Sequence, residues 1–149
     1  MKILVTGANG MLAKEVKEKF AKENEVIATD VSELDITNEK KVMEYAENTK
    51  PEYIINCAAY TAVDKAEENY DLADRINGDG PTNLAKAAKK VGAKLVHIST
   101  DYVFGGDLDI SKDYKENDEK HPVTAYGKTK LRGEEGIEKN MEEYYIFRT

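Results

Sequence analysis

The sequence predicts an open, doubly wound α/β sheet of parallel strands with helices on both faces. Short aliphatic runs alternate along the chain with longer stretches of helical period, which is the order of βαβ units. The runs are also almost continuously apolar, as strands are when both faces of their sheet are covered. A chain of 149 residues has the length of one domain with a sizeable core.

The individual elements follow from these patterns in chain order. From Leu84 onward, apolar residues recur at i, i+3, i+4 and i+7, and Gly92 then supplies a C-terminal cap for that helix. Residues 101–123 are irregular and rich in Asp and Lys, and loops of this length are usually functional or disordered. The position between the end of a strand and the Tyr-Lys helix favours a functional loop. The predicted strands are 2–6, 25–29, 53–57, 94–99 and 144–148, and the predicted helices are 11–23, 38–49, 71–76 and 80–92, with another within 123–135.

The composition excludes several classes of function. There are 22 Lys and Arg against 29 Asp and Glu, for a net charge of -7, whereas a nucleic-acid-binding surface needs a basic stripe. No apolar run approaches the roughly 20 residues that span a bilayer, and the N-terminus does not have the pattern of a signal peptide. The single cysteine, Cys57, permits no internal disulfide. We therefore expect a cytoplasmic protein that binds neither nucleic acid nor membrane.

A glycine-rich turn follows the first predicted strand and opens a helix. Gly7, Gly10 and Ala13 have the spacing G-x-x-G-x-x-[GA]. Gly7 permits a tight turn, Gly10 lets the backbone approach a pyrophosphate, and Ala13 lets the helix pack on the sheet. The first N–H groups of the helix can then bind phosphate. The alternative is a structural turn that uses glycine for its geometry only.

An acidic residue at the end of the second predicted strand favours the binding site over the structural turn. Asp30 lies 20 residues after Gly10, where a carboxylate accepts hydrogen bonds from an adenosine ribose. A carboxylate repels a 2′-phosphate and no arginine stands beside it, so we expect NAD(H) to be favoured, with NADP(H) second. The P-loop pattern G-x-x-x-x-G-K-[ST] is absent. Strand, turn, helix and acid together predict a dinucleotide-binding Rossmann fold.

The cysteine and the two histidines have ordinary structural explanations. Small residues at Cys57, Ala58 and Ala59 leave room for a cofactor to pass over the backbone. We expect Cys57 to be a small core residue rather than a catalytic thiol, because no Cys-His-Asp arrangement is evident. His97 is expected to be a hydrogen-bonded core residue, and His121, in a charged loop, to be solvated. Two histidines so placed predict no metal site.

Polar side chains follow the fourth predicted strand. Ser99 and Thr100 reach the same edge of the sheet as the glycine turn. On the next helix, Tyr126 and Lys130 lie one turn apart on a shared face, whereas Lys128 points away to solvent. A phenol has a pKa of about 10. An adjacent ammonium, with the nicotinamide cation in one cofactor state, is expected to lower it, so that Tyr126 exchanges a proton while Thr100 holds a substrate oxygen. The alternative is a tyrosine that packs the helix beside a solvated lysine.

These features together resemble the extended short-chain dehydrogenase/reductase family. The matching stretches lie between residues 3 and 135 and include "ILVTGANGMLAKE", "ATDVSELDITN", "IINCAAYTAVDKAEEN", "INGDGPTNLAKAA", "VHISTDYVFGG" and "YGKTKLRGEE". Within that family they are most similar to reductases of nucleotide-linked deoxysugars. The resemblance implies an NAD(P)-binding domain over 1–149, part of an NAD(P)H-dependent oxidoreductase that reduces a 4-keto group. It also implies that the C-terminal, substrate-binding part of the family is absent from this chain.

The resemblance also implies a role for individual residues. Thr100, Tyr126 and Lys130 would be the catalytic trio, with Lys130 also holding the nicotinamide ribose. Asp101 and Tyr102 would lie near the sugar. The other implied cofactor contacts are Asn9, Met11, Leu12, Asp35, Ile36, Ala58, Ala59, Tyr60 and Ser99, beside Gly7, Gly10 and Asp30.

Two alternative functions remain at this stage. A non-catalytic dinucleotide-binding or regulatory module would keep the fold and use the cofactor as a structural ligand. Epimerases and dehydratases of nucleotide sugars share the Tyr-x-x-x-Lys spacing, but "STDYVF" and "NCAAYTAVDKAE" are more similar to the reductases. The expected partner is a nucleotide-sugar substrate, and a homodimer is compatible with the resemblance.

Overall fold

Five parallel strands form one sheet in a computed structural model that describes residues 1–106 and 113–149. They are β1 (Lys2–Thr6), β2 (Glu25–Thr29), β3 (Tyr53–Asn56), β4 (Lys94–Ser99) and β5 (Tyr144–Arg148). Their order in the sheet is β2-β1-β3-β4-β5. The predicted strands are confirmed, and only the third ends one residue earlier than expected.

The helices differ more from the sequence prediction. They are α1 (Met11–Phe20), α2 (Glu39–Thr49), α3 (Val63–Glu68), α4 (Tyr70–Asp74), α5 (Gly80–Val91) and α6 (Ala125–Asn140). A π-helical turn, Arg75–Asp79, joins α4 to α5, so the helices predicted at 71–76 and 80–92 belong to one continuous helical segment. A 3₁₀ turn, Asp101–Val103, follows β4 within the long loop, whose residues 107–112 lie outside the described part of the chain.

Two of these differences have local causes. Helix α1 is three residues shorter than predicted because the backbone and side-chain amides of Asn24 both donate to the Phe20 carbonyl and end it. Helix α3 was not predicted, because six residues span less than two turns and show no apolar period. Its contribution to the core is Ala66, which is fully buried.

The core has two layers, one on each face of the sheet. Helices α2, α5 and α6 cover one face, where Leu4, Ile54, Leu84 and Leu95 are fully or almost fully buried. Helix α1 packs through Ala13 and Val16 against the other face. The prediction of an open, doubly wound sheet with helices on both faces is confirmed.

This topology collects the carboxyl ends of the strands at one edge. The chain crosses from β1 outward to β2 and then back to β3, so the switch point lies between β1 and β3. The glycine turn follows β1, Asp30 follows β2, and Thr100 follows β4. Ligands of open α/β sheets bind in the crevice outside such a switch point. None of the helices in the described ranges is long and apolar enough to cross a membrane.

Candidate active site

The turn after β1 can be formed only with glycine at position 7. Gly7 has a φ of 69°, and a β-carbon there would lie 2.7 Å from the backbone nitrogen and Cα of Ala58. The Gly10 N–H donates to the Gly7 carbonyl at 3.0 Å and closes the turn. Gly10 is the N-cap of α1 and supplies no side-chain cap, and residues 9–12 are exposed. Two glycines without side chains therefore lie next to a helix N-terminus whose first N–H groups have no side-chain cap. This arrangement can accommodate a pyrophosphate.

Asp30 stabilises this turn as well as facing the crevice. One of its carboxylate oxygens accepts the Asn9 N–H at 2.9 Å, and the other accepts the Val31 N–H at 2.8 Å. Glu33 brings a second carboxylate to the same place by accepting the Asp30 N–H at 2.9 Å. Hydrogen bonds from Ser32 and from the Asp30 backbone lower the pKa of Glu33, so two negative charges lie at the end of β2.

The two residues predicted beside the adenosine have different environments. The Asp35 carboxylate accepts the backbone N–H and the hydroxyl of Thr37, at 2.9 and 2.8 Å, and thereby shapes its own loop. The Ile36 side chain is buried in the core, where it packs against Gly80. Of the pair, Asp35 is the one with a partly exposed side chain.

The segment after β3 is held in place by an asparagine that the sequence did not reveal. Asn77, in the π-helical turn, accepts the Tyr60 N–H at 2.8 Å and donates to the Tyr60 carbonyl at 3.0 Å. Its amide nitrogen also lies 3.1 Å from the Thr129 hydroxyl on α6. This segment contains Ala58, Ala59 and Tyr60, all of them partly buried.

Cys57, which directly follows β3, packs against the core as the sequence predicted. Its side chain is half-buried and packs against the α1 side of the core. Burial raises the pKa of the thiol to about 11, so little thiolate is present at neutral pH. No group of three His, Cys, Asp or Glu that could hold a metal occurs among residues 1–106 and 113–149.

The structure brings Thr100 and Tyr126 together, and burial has the largest effect on the pKa of the phenol. Burial raises the pKa of Tyr126, and the charges of Tyr102 and Asp101 add to this, while a hydrogen bond with Thr100 opposes it. The Tyr102 ring meets the Tyr126 ring edge-on, with centroids 5.6 Å apart. Proximity to a lysine therefore does not lower the pKa of Tyr126 in this arrangement, because desolvation of the phenolate is the largest effect. The lowering expected with the nicotinamide cation stays a prediction.

Lys130 directs its side-chain nitrogen toward β4. Its Nζ donates to the Ile98 carbonyl at 2.7 Å and lies 3.5 Å from His97 Nε2, and only 1% of the residue is exposed. Burial lowers the pKa of Lys130 to about 8, against the opposing charge of Glu134. His97 is confirmed as a buried, hydrogen-bonded core residue, and Lys128 and His121 are exposed as predicted.

Close packing fixes the position of α6 relative to the strands. Its first turn is capped by the Thr124 hydroxyl, which accepts the Gly127 N–H at 3.0 Å, and by Glu67, which accepts the Ala125 N–H at 2.8 Å. A β-carbon at Gly127 would collide with the Tyr102 carbonyl. Glycine therefore allows the helix that carries Tyr126 to lie directly against the turn after β4.

A buried ion pair joins α6 to the end of β5. Glu134 is fully buried and receives two hydrogen bonds from Arg148, at 2.9 and 2.8 Å. Lys120 lies 3.4 Å away on the same carboxylate. The Arg148 guanidinium also stacks over Phe104, 5.3 Å from the ring centroid, and donates to the Glu116 carbonyl at 3.1 Å.

Asp101 and Tyr102 border a small cavity beside the Thr100–Tyr126 pair. It has a volume of about 220 Å³ and one aromatic wall in which Phe104 and Tyr114 stack 4.3 Å apart. Asp101 and Tyr102 are both exposed. The other lining residues are Gly105, Gly106, Val123 and Thr124. The predicted substrate residues therefore lie at an open aromatic cavity next to the phenol.

The sheet order, the glycine turn after β1 and the Thr–Tyr–Lys group define a dinucleotide-binding domain of the short-chain dehydrogenase/reductase class. The chain belongs to the RmlD substrate binding domain family, whose model matches residues 1–149.

Its relatives in this family are reductases about twice as long. The chain is 44% identical to the dTDP-4-dehydrorhamnose reductase of Mycolicibacterium smegmatis over 149 residues, which is 99% of this chain and 45% of that protein. A crystal structure of such a reductase from Clostridium acetobutylicum matches with a TM-score of 0.96 at 54% identity, over 99% of this chain and 52% of the other. The Bacillus anthracis enzyme in complex with NADP matches with a TM-score of 0.94 at 42% identity, over 99% of this chain and 52% of that enzyme. The chain spans about half the length of the relatives it matches.

Proposed function

We propose that residues 1–149 are the cofactor-binding half of an NAD(P)H-dependent reductase that acts on the 4-keto group of a nucleotide-linked deoxysugar. The observation that carries this proposal is that Thr100, Tyr126 and the buried Lys130 meet at the carboxyl end of β4, the same sheet edge as the glycine turn: the Tyr126 ring contacts the Tyr102 ring in the turn that Thr100 caps, and Lys130 donates to the Ile98 carbonyl. The names of the matched relatives, dTDP-4-dehydrorhamnose reductases, support the substrate class. A non-catalytic module would have no need for this polar trio.

The residues around the crevice divide between the two ends of the dinucleotide. The turn at Gly7 and Gly10, with the N–H groups of Met11 and Leu12, would bind the pyrophosphate. Asp30 would accept hydrogen bonds from the adenosine ribose. The remaining proposed contacts are Asn9, Asp35, Ile36, Ala58, Ala59, Tyr60 and Ser99, with Tyr126 and Lys130 at the nicotinamide end.

The chain's own groups would hold the carbonyl and protonate it. The bound nicotinamide supplies the hydride. Thr100 would donate a hydrogen bond to the keto oxygen and fix it beside Tyr126, while Asp101 and Tyr102 border the sugar. Tyr126 would then give its proton to that oxygen as the alkoxide forms. The raised pKa keeps the Tyr126 phenol protonated at neutral pH, which is the form that can donate a proton.

The first test is a dinucleotide titration followed by an NADH-oxidation assay with a dTDP-4-keto-6-deoxysugar. We expect the 149-residue chain to fold and bind NAD(H), because the proposed cofactor contacts all lie within it. We expect slow or undetectable turnover, because the resemblance places much of the sugar-nucleotide pocket in the second half of the family, and catalysis needs an oriented substrate. Efficient turnover would contradict this division of labour, and the absence of dinucleotide binding would contradict the proposal as a whole.

The second test concerns the choice between NADH and NADPH. We expect NADH to bind more tightly, because Asp30 and Glu33 together bring two carboxylates to the end of β2, and carboxylates there would repel a 2′-phosphate. The margin is expected to be small, since a relative at 42% identity was crystallised with NADP. Calorimetric titration of both dinucleotides measures the difference, and Asp30→Asn should narrow it while Glu15→Gln, an exposed change on α1, should not. Clearly tighter NADPH binding by the unaltered chain would overturn the role given to Asp30.

A further inference from the structure

A line of buried polar groups crosses the sheet and ends at Lys130. It runs from Thr6 on β1 through Asn56 on β3 and His97 on β4 to the lysine on α6. All four residues are at most 1% exposed. Buried polar groups of this kind need hydrogen-bond partners, and the partners decide which atoms carry protons.

The orientation of the Asn56 amide is fixed by its neighbours. Its Oδ1 accepts the Ala58 N–H at 3.1 Å and the Thr6 hydroxyl at 2.6 Å. A backbone N–H can only donate, so the opposite orientation of the amide would place two donors against each other. The amide nitrogen of Asn56 therefore faces His97 Nδ1, 3.0 Å away, and donates to it.

This donor decides the protonation of the imidazole. Because Nδ1 accepts a hydrogen bond, the proton of a neutral His97 must be on Nε2. The ring is neutral, since burial, with help from the charge of Lys130, lowers the pKa of His97 well below its ordinary value. An Nε2–H group therefore points at the side chain of Lys130.

Whether Lys130 interacts favourably with the His97 Nε2–H group depends on the charge of the lysine. The Lys130 Nζ is 3.5 Å from His97 Nε2 and donates to the Ile98 carbonyl at 2.7 Å. An ammonium has three donors and no acceptor, so the facing N–H dipole is unfavourable to it. A neutral amine has a lone pair that accepts the Nε2–H while the amine still donates to Ile98.

Within the described residues, two titratable groups face the Lys130 amine, and they act in opposite directions. His97 on β4 favours the neutral form. Glu134, one turn further along α6, favours the ammonium, although Arg148 and Lys120 share its carboxylate. Asp101 acts on Tyr126 rather than on the lysine.

We propose that His97, held by Asn56 with its proton on Nε2, is a positioning residue that stabilises Lys130 as the neutral amine. The proposal itself concerns only the protonation of the His97 and Lys130 side chains. Its consequence for catalysis, that Lys130 changes charge within reach of neutral pH, rests on the function proposed above.

The direct test needs no substitution in the line itself. Ring ¹⁵N NMR of the histidines should show Nε2 protonated and Nδ1 unprotonated in His97 across the neutral range. The His121→Gln variant assigns the signals, because His121 is the other histidine of the chain and is exposed. A proton on Nδ1, or a doubly protonated ring at pH 7, would overturn the proposal.

A second test measures the lysine. An Asn56→Asp chain replaces the donor with an acceptor, so the His97 proton moves to Nδ1 and Nε2 can accept from the ammonium. We expect the titration midpoint of Lys130, followed by lysine NMR and assigned with Lys130→Met, to rise by about one pH unit. His97→Gln, which can keep both the acceptor for Asn56 and the donor toward Lys130, should leave the midpoint close to that of the unaltered chain.

The results distinguish this proposal from a purely structural role and from the proposed function. A purely structural role predicts changes in the melting temperature with no change in the Lys130 midpoint. An unchanged midpoint in Asn56→Asp that retains the circular dichroism of the unaltered chain would therefore contradict the proposal. Neither NMR measurement involves a dinucleotide, whereas the titration with NAD(H) tests the proposed function separately.

Discussion

Replacing Tyr126 with Phe is expected to lower turnover by about 10²–10⁴, the range typical of a lost general acid. The substitution removes only the hydroxyl of a half-buried tyrosine, so the fold and the turn at Gly7 should be unaffected. Cofactor affinity should consequently change little. The rate can be measured under single-turnover conditions, and in steady state with a chimera that joins this chain to the second half of a matched reductase.

Two other variants test whether the loss of turnover is specific to the Tyr126 hydroxyl. Tyr70→Phe removes a hydroxyl from an exposed tyrosine on α4 and should leave turnover unchanged. Lys130→Met should lower both turnover and cofactor affinity, because the lysine is assigned to the ribose as well as to the reaction. Full activity of the chimera that carries Tyr126→Phe would show that the proton comes from another group.

Replacing Glu134 with Ala is expected to destabilise the domain by about 3–5 kcal/mol, the cost typical of removing one partner of a buried ion pair. The carboxylate is fully buried and carries two hydrogen bonds from Arg148. Its loss leaves that guanidinium, which is largely buried, without its partner. Urea unfolding of the variant measures the change in the free energy of unfolding, and Glu135→Ala, at an exposed neighbouring position, is the matched control with an effect near zero.

The loss of stability in Glu134→Ala should also depend on pH. Burial raises the pKa of Glu134, but the hydrogen bonds and charges of Arg148, with the charge of Lys120, outweigh it and leave the pKa below its ordinary value of 4.5. A carboxyl with a lowered pKa in the folded state stabilises fully above its unfolded pKa and loses this contribution as the pH falls through the folded value. The difference between the unaltered chain and Glu134→Ala should therefore be constant at neutral pH and shrink below pH 4.5. A difference that grew on acidification would contradict the assignment of Glu134 as an ionised partner.

The sequence predicted the sheet well because each strand has its own local sequence pattern, and that pattern recurs along the chain. Each run of β-branched and aliphatic residues specifies a strand whatever its neighbours do, and the βαβ order then fixes parallel pairing. The glycine turn was equally readable, since Gly7 is required by a positive φ and by contact with Ala58. The helical segment around Asn77 was harder. A π-helical turn has no sequence period of its own, and its asparagine is recognised by what it contacts across the chain.

The sequence by itself determined the fold class, the dinucleotide turn and the helical spacing that puts Tyr126 and Lys130 on one side of α6. Only the tertiary structure decided what those side chains meet. Burial raises the pKa of Tyr126 where a simple pairing with lysine predicted the opposite, and the lysine itself contacts Ile98 and His97 on β4. Spacing along a helix fixes which residues share a face. Desolvation and hydrogen-bond partners depend on strands that are distant in sequence, and these set the charge of each group.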